Sequence, residues 1–363
     1  MAKSTLIDRR RFMQAAGIAF LSGLNPRALF ALEKTDAVFA SAYRAADGSY
    51  GIATLSERGE ILSRDALPAR AHGMAVSPAR AYAVAFARRP GTFAMALDLT
   101  RRAEPVTIAA PEGRHFFGHG CFSPDGRWLY ASENDFDGNR GVIGLYDANE
   151  NFARIGEYDA HGIGTHDLAI SEDGAMLIAA NGGIETHPDF GRTKLNLDRM
   201  EPSLSLIDAR SGALIERHTL PESLRRLSTR HIDLDAEGHI WFACQYEGPR
   251  NDAPPLVGHF GRGETLTFLD LPEEASNALG NYVGAIAVNR TLGLVGVTSP
   301  VGGAAITFDA ASGQMLALRR LDDAAGIAPA QKGFAVSSYD GQFLDARQDV
   351  AWDQHILRLT RHL

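Results

Sequence analysis

Two short apolar runs separated by a tight polar turn recur along the chain, in the alternating pattern of β-strands. Five such units are AHGMAVSPARAYAVAF, GHGCFSPDGRWLYASEND, THDLAISEDGAMLIAANGG, RHIDLDAEGHIWFACQYEG and VGAIAVNRTLGLVGVTSP. The turn residues, at successive spacings of 46, 48, 64 and 54, are Ser77, Ser123, Ser171, Asp235 and Asn289. Several units continue into a third strand, at residues 143–147, 204–208 and 305–309. A period of about 45 residues with several strands in each repeat is typical of β-propeller blades.

The two ends of the repeat region predict one further blade made jointly by both. A sixth unit begins near Gly326, and a last inner-strand candidate, Ala351–Leu359, has no partner strands after it. Three strands near the start lack an inner partner, at residues 38–43, 50–55 and 61–63. Joining these strands removes the exposed edges that an open ring of sheets would leave. We therefore predict an all-β, seven-bladed β-propeller closed by pairing of the N- and C-terminal strands.

Residues 1–31 predict an export signal rather than part of the propeller. The run DRRRFM, Asp8–Met13, matches the twin-arginine pattern, and an apolar run of ten residues follows from Ala15 to Leu24. That run is far shorter than the roughly 20 residues that span a bilayer, so it is typical of a removed signal. We expect a periplasmic protein exported by the twin-arginine pathway, with one domain over residues 32–363 and no transmembrane segment in the mature form.

The charge of the chain argues against nucleic acid as a partner. The formal net charge is −8, and residues 1–31 carry five basic side chains and one acidic side chain, so their removal changes it to −12. An acidic surface without a cluster of lysines and arginines repels phosphate backbones.

Histidines recur where inner strands begin, which in a propeller is the rim of the central channel. They are His72, His119, His166, His231 and His355. Neutral imidazoles commonly bind transition metals, so such a ring could hold an iron, copper or zinc ion without any local motif. A structural ring, with each histidine bonded to a carbonyl of the adjoining blade, is the alternative. His72 and His166 lie five positions before their turn residues, whereas His119 and His231 lie four before, so convergence requires a β-bulge.

The spacing of 64 contains a predicted insertion loop over residues 182–202. A long loop in a compact repeat is commonly functional or disordered. This loop is predicted to cover the channel mouth as a lid, or to form a salt-bridged cap. Candidate ligand-binding residues from the loop and from the end of the preceding blade are Glu133, Asp135, His187, Asp189, Arg192 and Lys194.

Several runs resemble the bacterial exported proteins grouped as the domain of unknown function DUF1513, over almost the whole mature chain. They include GHGCFSPDGRWLYASENDFDGNRGVIGLYD, NGGIETHPDFGRTKLNLDRMEPSLSLID and WDQHILRL. The resemblance implies a periplasmic seven-bladed propeller of the YVTN/WD40-like kind, encoded near imelysin-type iron-uptake lipoproteins and di-haem cytochromes. The chain departs from the usual Pro-His-Glu with Thr165-His166-Asp167, and from Trp-Asp-Asn-His with Gln354. Both changes keep the histidine, whereas aspartate reaches less far than glutamate.

Three functions remain open from the sequence. The first is a non-catalytic binding protein accessory to iron, other metal or haem-linked uptake, with a periplasmic lipoprotein or di-haem cytochrome as partner. The second is a docking platform whose acidic face meets such a partner. The third is a lactonase-like hydrolase at the rim, with the candidate residues Glu133, His166, Asp167 and Asn181. The chain has no G-x-S-x-G elbow and no glycine-rich phosphate loop, which favours binding over catalysis.

Overall fold

Seven four-stranded antiparallel sheets make up the computed structural model, which describes residues 38–89, 91–100 and 102–359. The sheets are blades around a central channel, and the innermost strands of neighbouring blades pack against each other in a closed ring. The predicted seven-bladed propeller is therefore confirmed. The predicted export signal over residues 1–31 lies outside the described residues. Within the described part, no helix is long and apolar enough to cross a membrane.

Each blade has an inner strand at the channel and a second strand paired with it. The inner strands of blades 2 to 7, and then of blade 1, are β4 (Ala71–Val76), β8 (Arg114–Phe122), β12 (Thr165–Ile170), β16 (Leu227–Leu234), β20 (Ala285–Asn289), β24 (Ala324–Ala330) and β28 (Val350–Arg358). The second strands of blades 1 to 7 are β1 (Phe39–Ala45), β5 (Tyr82–Ala87), β9 (Trp128–Asp135), β13 (Met176–Asn181), β17 (Ile240–Tyr246), β21 (Leu294–Ser299) and β25 (Gly333–Ser338). Second strands such as β5 and β13 are almost wholly buried, because blades cover both of their faces.

Two further strands complete each blade toward the outside. The third strands of blades 1 to 7 are β2 (Tyr50–Leu55), β6 (Phe93–Asp98), β10 (Arg140–Asp147), β14 (Ser203–Asp208), β18 (Val257–Phe260), β22 (Ala304–Asp309) and β26 (Gln342–Phe343). The outer strands are β3 (Ile61–Leu67), β7 (Val106–Ala109), β11 (Ala153–Asp159), β15 (Leu214–Thr219), β19 (Thr267–Phe268), β23 (Met315–Arg320) and β27 (Ala346–Arg347). Outer strands such as β3 alternate exposed and partly buried residues, which is the period of a strand with one solvated face.

The longer repeat spacings have structural causes. An α-helix, α1 (Glu273–Leu279), lies between blades 5 and 6 and accounts for the spacing of 54. Residues 182–202 join β13 to β14 and account for the spacing of 64. Short 3-10 turns lie at Ala148–Glu150, Pro188–Phe190 and Glu222–Leu224.

The tight turns between inner and second strands are held by side chains that the repeat pattern supplies. Ser123 Oγ accepts a hydrogen bond from the Trp128 amide at 2.9 Å and donates one to Asp125 at 2.5 Å. Gly126 follows with φ +69°, in the left-handed region that glycine adopts without steric strain. The turn between β12 and β13 repeats this arrangement. The Ser-x-Asp-Gly pattern therefore reverses the chain so that an inner strand pairs with its neighbour.

Blade 1 closes the ring with strands from both ends of the described chain. β28 pairs antiparallel with β1, from Phe39 opposite Arg358 to Ala45 opposite Val350. Trp352 of β28 is 1 % exposed, and its ring centroid lies 5.4 Å from that of Phe343 in blade 7. The predicted closure is confirmed, and it places His355 in the same channel as the histidines of blades 2 to 5.

Replacing Trp352 with alanine tests the closure. We expect Trp352→Ala to lower the free energy of unfolding by about 3–5 kcal/mol, because it leaves a large cavity where blades 1 and 7 meet. Urea unfolding would measure the loss. Leu316→Ala, at a residue 57 % exposed on β23, is the matched control and should change stability by less than about 0.5 kcal/mol. Equal losses in both variants would contradict a special role for the closing strand.

Candidate functional site

The five predicted rim histidines meet in the channel, one from each of five consecutive inner strands. His119 lies among the others, with ring centroids 4.9 Å from His72, 4.9 Å from His166, 5.4 Å from His231 and 4.7 Å from His355. Blades 6 and 7 contribute no histidine, yet His231 and His355 still come within 4.9 Å across the channel. These five residues are called the polyhistidine centre below.

β-Bulges bring the histidines together despite their different positions in the repeats. In each of the five strands the register with the partner strand shifts at or beside the histidine. The shifts lie between Ala71 and Met74, Phe116 and Gly120, Thr165 and Asp167, Thr229 and His231, and, on the partner of β28, Ser41 and Tyr43. A bulge inserts an extra residue and re-aims a side chain. The register correction that convergence required is therefore present in the strands.

Two glycines allow the neighbouring strands β4 and β8 to approach at the centre. A Cβ atom on Gly73 would lie 2.4 Å from the Gly118 carbonyl oxygen and 2.6 Å from His119 Nδ1. A Cβ atom on Gly118, which has φ +106°, would lie 2.8 Å from a ring carbon of His72. Any larger residue at either position would push these two histidines apart.

The imidazole nitrogens form two overlapping groups of three. His72, His119 and His166 each offer one nitrogen within 4.8 Å of the other two, and so do His119, His231 and His355. His72 and His166 also line a cavity above the centre. The two groups of three share His119.

Most of the ring nitrogens in the centre have no hydrogen-bond partner among the described residues. The buried, unpartnered atoms are His72 Nδ1, His119 Nε2, His166 Nε2, His231 Nδ1, His231 Nε2 and His355 Nε2. Buried polar atoms without partners are rare in folded proteins and destabilise them. For these atoms, the alternative of a structural ring bonded to carbonyls lacks its hydrogen bonds. Each neutral imidazole carries one nitrogen lone pair, and lone pairs gathered in a buried cluster without hydrogen-bond partners are an arrangement that a metal ion would complete.

Asp167 orients the imidazole rings of His119 and His231. One of its carboxylate oxygens lies 3.3 Å from His119 Nδ1, and the other lies 3.8 Å from His231 Nδ1. Backbone amides of Leu168 and Ile232 also donate to this carboxylate, at 2.8 and 3.2 Å. Burial raises the pKa of Asp167, but His119 and His231 lower it by more, so the net pKa lies below its usual value. An ionised carboxylate behind a histidine holds the ring with its other nitrogen turned toward a metal.

Four histidines of the centre, His72, His166, His231 and His355, are held in the neutral form at neutral pH. Burial, followed by the charges of neighbouring side chains, lowers the pKa of His72, His166 and His355 well below 6.5. The same causes lower the pKa of His231 to about 4, although Asp167 opposes them. Only neutral imidazole binds metal, so the site stays competent under mildly acidic conditions.

The insertion loop reaches the channel through one of its four candidate residues. Arg192 lines the cavity above the centre, whereas Lys194 pairs with Glu247. The Asp189 side chain is 81 % exposed, and His187 Nδ1 accepts a hydrogen bond from its amide at 3.2 Å. The loop therefore covers part of the mouth, while most of its candidate ligands point elsewhere.

The structure does not place the predicted rim residues Glu133, Asp135 and Asn181 in the channel. Glu133 is fully buried inside blade 3 and accepts hydrogen bonds from Tyr146 at 2.6 Å and Arg154 at 3.0 Å. Asp135 pairs with two arginines, at 3.3 and 2.9 Å. Asn181 is buried, and its side chain accepts a hydrogen bond from Thr165 at 2.6 Å and donates one to the Ala160 carbonyl at 3.0 Å. The side-chain partners of Glu133 and Asp135 lie on other strands of blade 3. Of the predicted hydrolase residues, only His166 and Asp167 lie at the channel.

Four arginines around the cavity form a feature that sequence reasoning found only in part. They are Arg88, Arg89, Arg192 and Arg230. Of these, only Arg192 was a candidate, because it belongs to the insertion loop. The others follow the end of β5 or lie on β16, and their shared position at one end of the blades was the available signal.

The fold and the channel define a class: a seven-bladed β-propeller with a polyhistidine channel. The family described as "Protein of unknown function (DUF1513)" matches residues 65–359, and the chain belongs to this family. The resemblance in the sequence is thereby confirmed.

Solved structures share the fold at low sequence identity. Kuenenia stuttgartiensis hydrazine synthase is similar with a TM-score of 0.58 and 14% identity, over 87% of this chain and 94% of that chain. The Myceliophteria thermophila Cps50 (Swd1) β-propeller domain is similar with a TM-score of 0.58 and 12% identity, over 84% and 93%. At these identities the similarity concerns the fold alone. No curated protein matches the sequence.

Protonation of the centre should make stability depend on pH. In the metal-free protein, we expect the free energy of unfolding to fall as the pH drops from 6.5 to about 4. The unfolded chain binds protons at histidines that stay neutral in the folded state, so stability rises with pH. Urea unfolding at several pH values would measure this. His231→Gln should flatten the curve, and an equally steep curve in that variant would contradict the assignment.

A substitution beside the centre should disrupt it while all five histidines remain. We expect Gly118→Ala to bind added zinc at least tenfold more weakly than the unchanged protein, because the new methyl group displaces His72. Titration with a competing chelator would measure the affinity. Gly156→Ala is the matched control, because nothing lies within 4 Å of its added Cβ atom. Equal affinities in both variants would contradict a role for the packing of β4 against β8.

Proposed function

We propose that this protein binds one transition-metal ion at the polyhistidine centre. The observation that carries the proposal is the set of buried imidazole nitrogens that face one another without hydrogen-bond partners. Nitrogen ligands from three histidines are a recurring set for zinc and related ions. The nitrogen ligands of a tetrahedral zinc ion lie roughly 3.4 Å from one another, so metal binding would draw the imidazole rings slightly closer together.

The ligand set favours a borderline metal. Imidazole suits zinc, copper, iron and nickel, whereas calcium and magnesium prefer oxygen ligands. The nearest carboxylates are committed elsewhere: Asp167 to His119 and backbone amides, and Asp353 to Arg70. The candidate ions are therefore those predicted from the sequence, namely iron, copper and zinc.

The two groups of three share His119, which limits the centre to one ion. The Nδ1 atom of His119 faces Asp167, so a single nitrogen, Nε2, remains for a metal. An ion in either group then has three protein ligands and an open position. Three ligands with an open position suit an ion that exchanges a fourth ligand rather than one that only stabilises the fold.

The proposed physiological role is that of a periplasmic binding protein accessory to iron, other metal or haem-linked uptake. It is supported by the twin-arginine pattern in residues 1–31 and by the gene neighbourhood that the family resemblance implies. The buried positions of Glu133 and Asn181 leave the alternative of a rim hydrolase with only two of its four predicted residues, His166 and Asp167, at the channel.

Metal analysis of the full-length gene product, exported and gently purified from the periplasm, tests this function. We expect about one equivalent of iron, copper or zinc in the unchanged protein and less than a tenth of that in His119→Gln/His166→Gln. The double variant removes ligands from both groups of three. His218→Gln, at a histidine on β15 that pairs with Glu216, is the control and should keep its metal.

A protein that is folded by circular dichroism but empty, and that takes up none of the three added metals, would overturn the proposal. Metal retained at full stoichiometry by the double variant would overturn it as well.

A further inference from the structure

A small cavity adjoins the polyhistidine centre, and Arg192 of the insertion loop contributes to its lining. His72 and His166 line it, together with Phe117 and with polar side chains from several blades. The other lining residues are Arg88, Arg89, Arg192, Arg230, Gln245, Tyr282 and Gln354. The free volume among these side chains is about 30 Å³. A cavity needs about 10–15 Å³ of free volume to hold one water, so this cavity fits a group of only a few atoms.

The positive charge of the cavity exceeds the negative charge beside it. Arg230 is 4 % exposed, and the carboxylate of Glu247 lies 4.0 Å from it while also pairing with Lys194. Arg88 lies 3.8 Å from Asp353, which Arg70 already binds.

Arg89 and Arg192 have no carboxylate within 4.0 Å among residues 38–89, 91–100 and 102–359. Four guanidinium groups therefore share two carboxylates that are partly neutralised by other cations.

Two guanidinium nitrogens in the cavity are buried without a hydrogen-bond partner, namely Arg88 Nη1, which is 3.8 Å from an Asp353 oxygen, and Arg230 Nε. Burial, followed by repulsion from Arg230, Arg192 and Arg88, lowers the pKa of Arg89 to about 9. Unpaired buried charges destabilise a fold strongly unless an opposite charge compensates them. The protein as a whole carries a net charge of −8, so this concentration of cations is local to the cavity.

We propose that the arginine-lined cavity binds a small oxyanion, of the size of carbonate, phosphate or a short carboxylate, next to the polyhistidine centre. The planar guanidinium fork matches carboxylate and phosphate oxygens, and several forks around one point favour an anion with more than one oxygen. Gln245, Gln354 and Tyr282 add neutral hydrogen-bonding groups to the same walls.

The position of the cavity links the anion to the metal. His72 and His166 belong both to its lining and to one group of three nitrogens. An anion held there would lie beside the open position of an ion bound by that group, and this part of the inference rests on the proposed function. Binding of either partner would then strengthen binding of the other by the same factor.

Anion binding is measured by equilibrium dialysis and by thermal unfolding of the full chain, first metal-free and then metal-loaded. The probes are phosphate, bicarbonate and acetate, with citrate as a size control that exceeds the cavity. We expect about one equivalent of at least one small oxyanion, with little effect of citrate. The relative affinities of phosphate, bicarbonate and acetate show whether the cavity prefers a tetrahedral or a planar anion.

The matched variants are Arg89→Gln/Arg192→Gln and Arg262→Gln. The double variant removes two charges without a carboxylate partner, so it should stay folded and bind the anion at least tenfold more weakly. Arg262 is 66 % exposed in its side chain and lies outside the cavity, so Arg262→Gln should bind the anion unchanged. Unchanged affinity in the double variant, or binding of none of the small probes by the folded protein, would overturn the inference.

Failure of this inference is distinguishable from failure of the proposed function. Anion binding by a protein that takes up no metal would sink the metal proposal and leave the arginine cavity standing. If the protein takes up metal but binds no anion in either its metal-free or its metal-loaded form, the anion proposal fails and the metal proposal stands. His119→Gln, which lacks the ligand shared by both groups of three but leaves every lining residue of the cavity in place, should retain the anion in its metal-free form.

Discussion

The pairing of β28 with β1 is the contact on which the rest of the structure depends. It joins strands more than 300 positions apart and closes seven inner strands into a ring. The ring in turn fixes the distances between blades, so that residues separated by tens of positions meet at one axis. His355 reaches His72 and His119 only because the closing strand is itself an inner strand. The same closure forms both the fold and the site, so a change that opens the ring should also disrupt the polyhistidine centre.

The polyhistidine centre and the arginine-lined cavity form two layers of the channel, lower and upper, that differ in charge. Burial keeps His72, His166, His231 and His355 of the lower layer neutral, with Asp167 as an ionised support. The arginines of the upper layer remain cationic in the same confined space, because guanidinium holds its proton far more tightly than imidazole. Neutral nitrogen ligands below and positive charge above are complementary to a cation and an anion respectively. The two layers share His72 and His166, so neither is independent of the other.

The candidate site was predictable where it repeats with the blades and obscure where it does not. All five histidines stand within about one residue of the same place in their repeats, and their number was sufficient to mark the channel. Arg89 and Arg230 do not recur in this way, and their shared position at one end of the blades was a weak signal, because an arginine at a strand end is ordinarily solvated. Glu133 shows the converse error: it stands near the end of a second strand, as a rim residue would, but faces Tyr146 and Arg154 inside the blade. Position along a strand indicates height in a propeller, whereas the direction of the side chain depends on register.

The sequence by itself determined the number of blades, the closure by both ends, the turns and the level of the histidines, because each follows from local periodicity and turn chemistry. Only the tertiary structure decided that the histidines converge, since their offset positions need β-bulges that arise from pairing between strands. It alone also decided that four arginines from different parts of the chain surround one cavity. Convergence on an axis is a property of the closed ring, and no local pattern of residues encodes the distance across it.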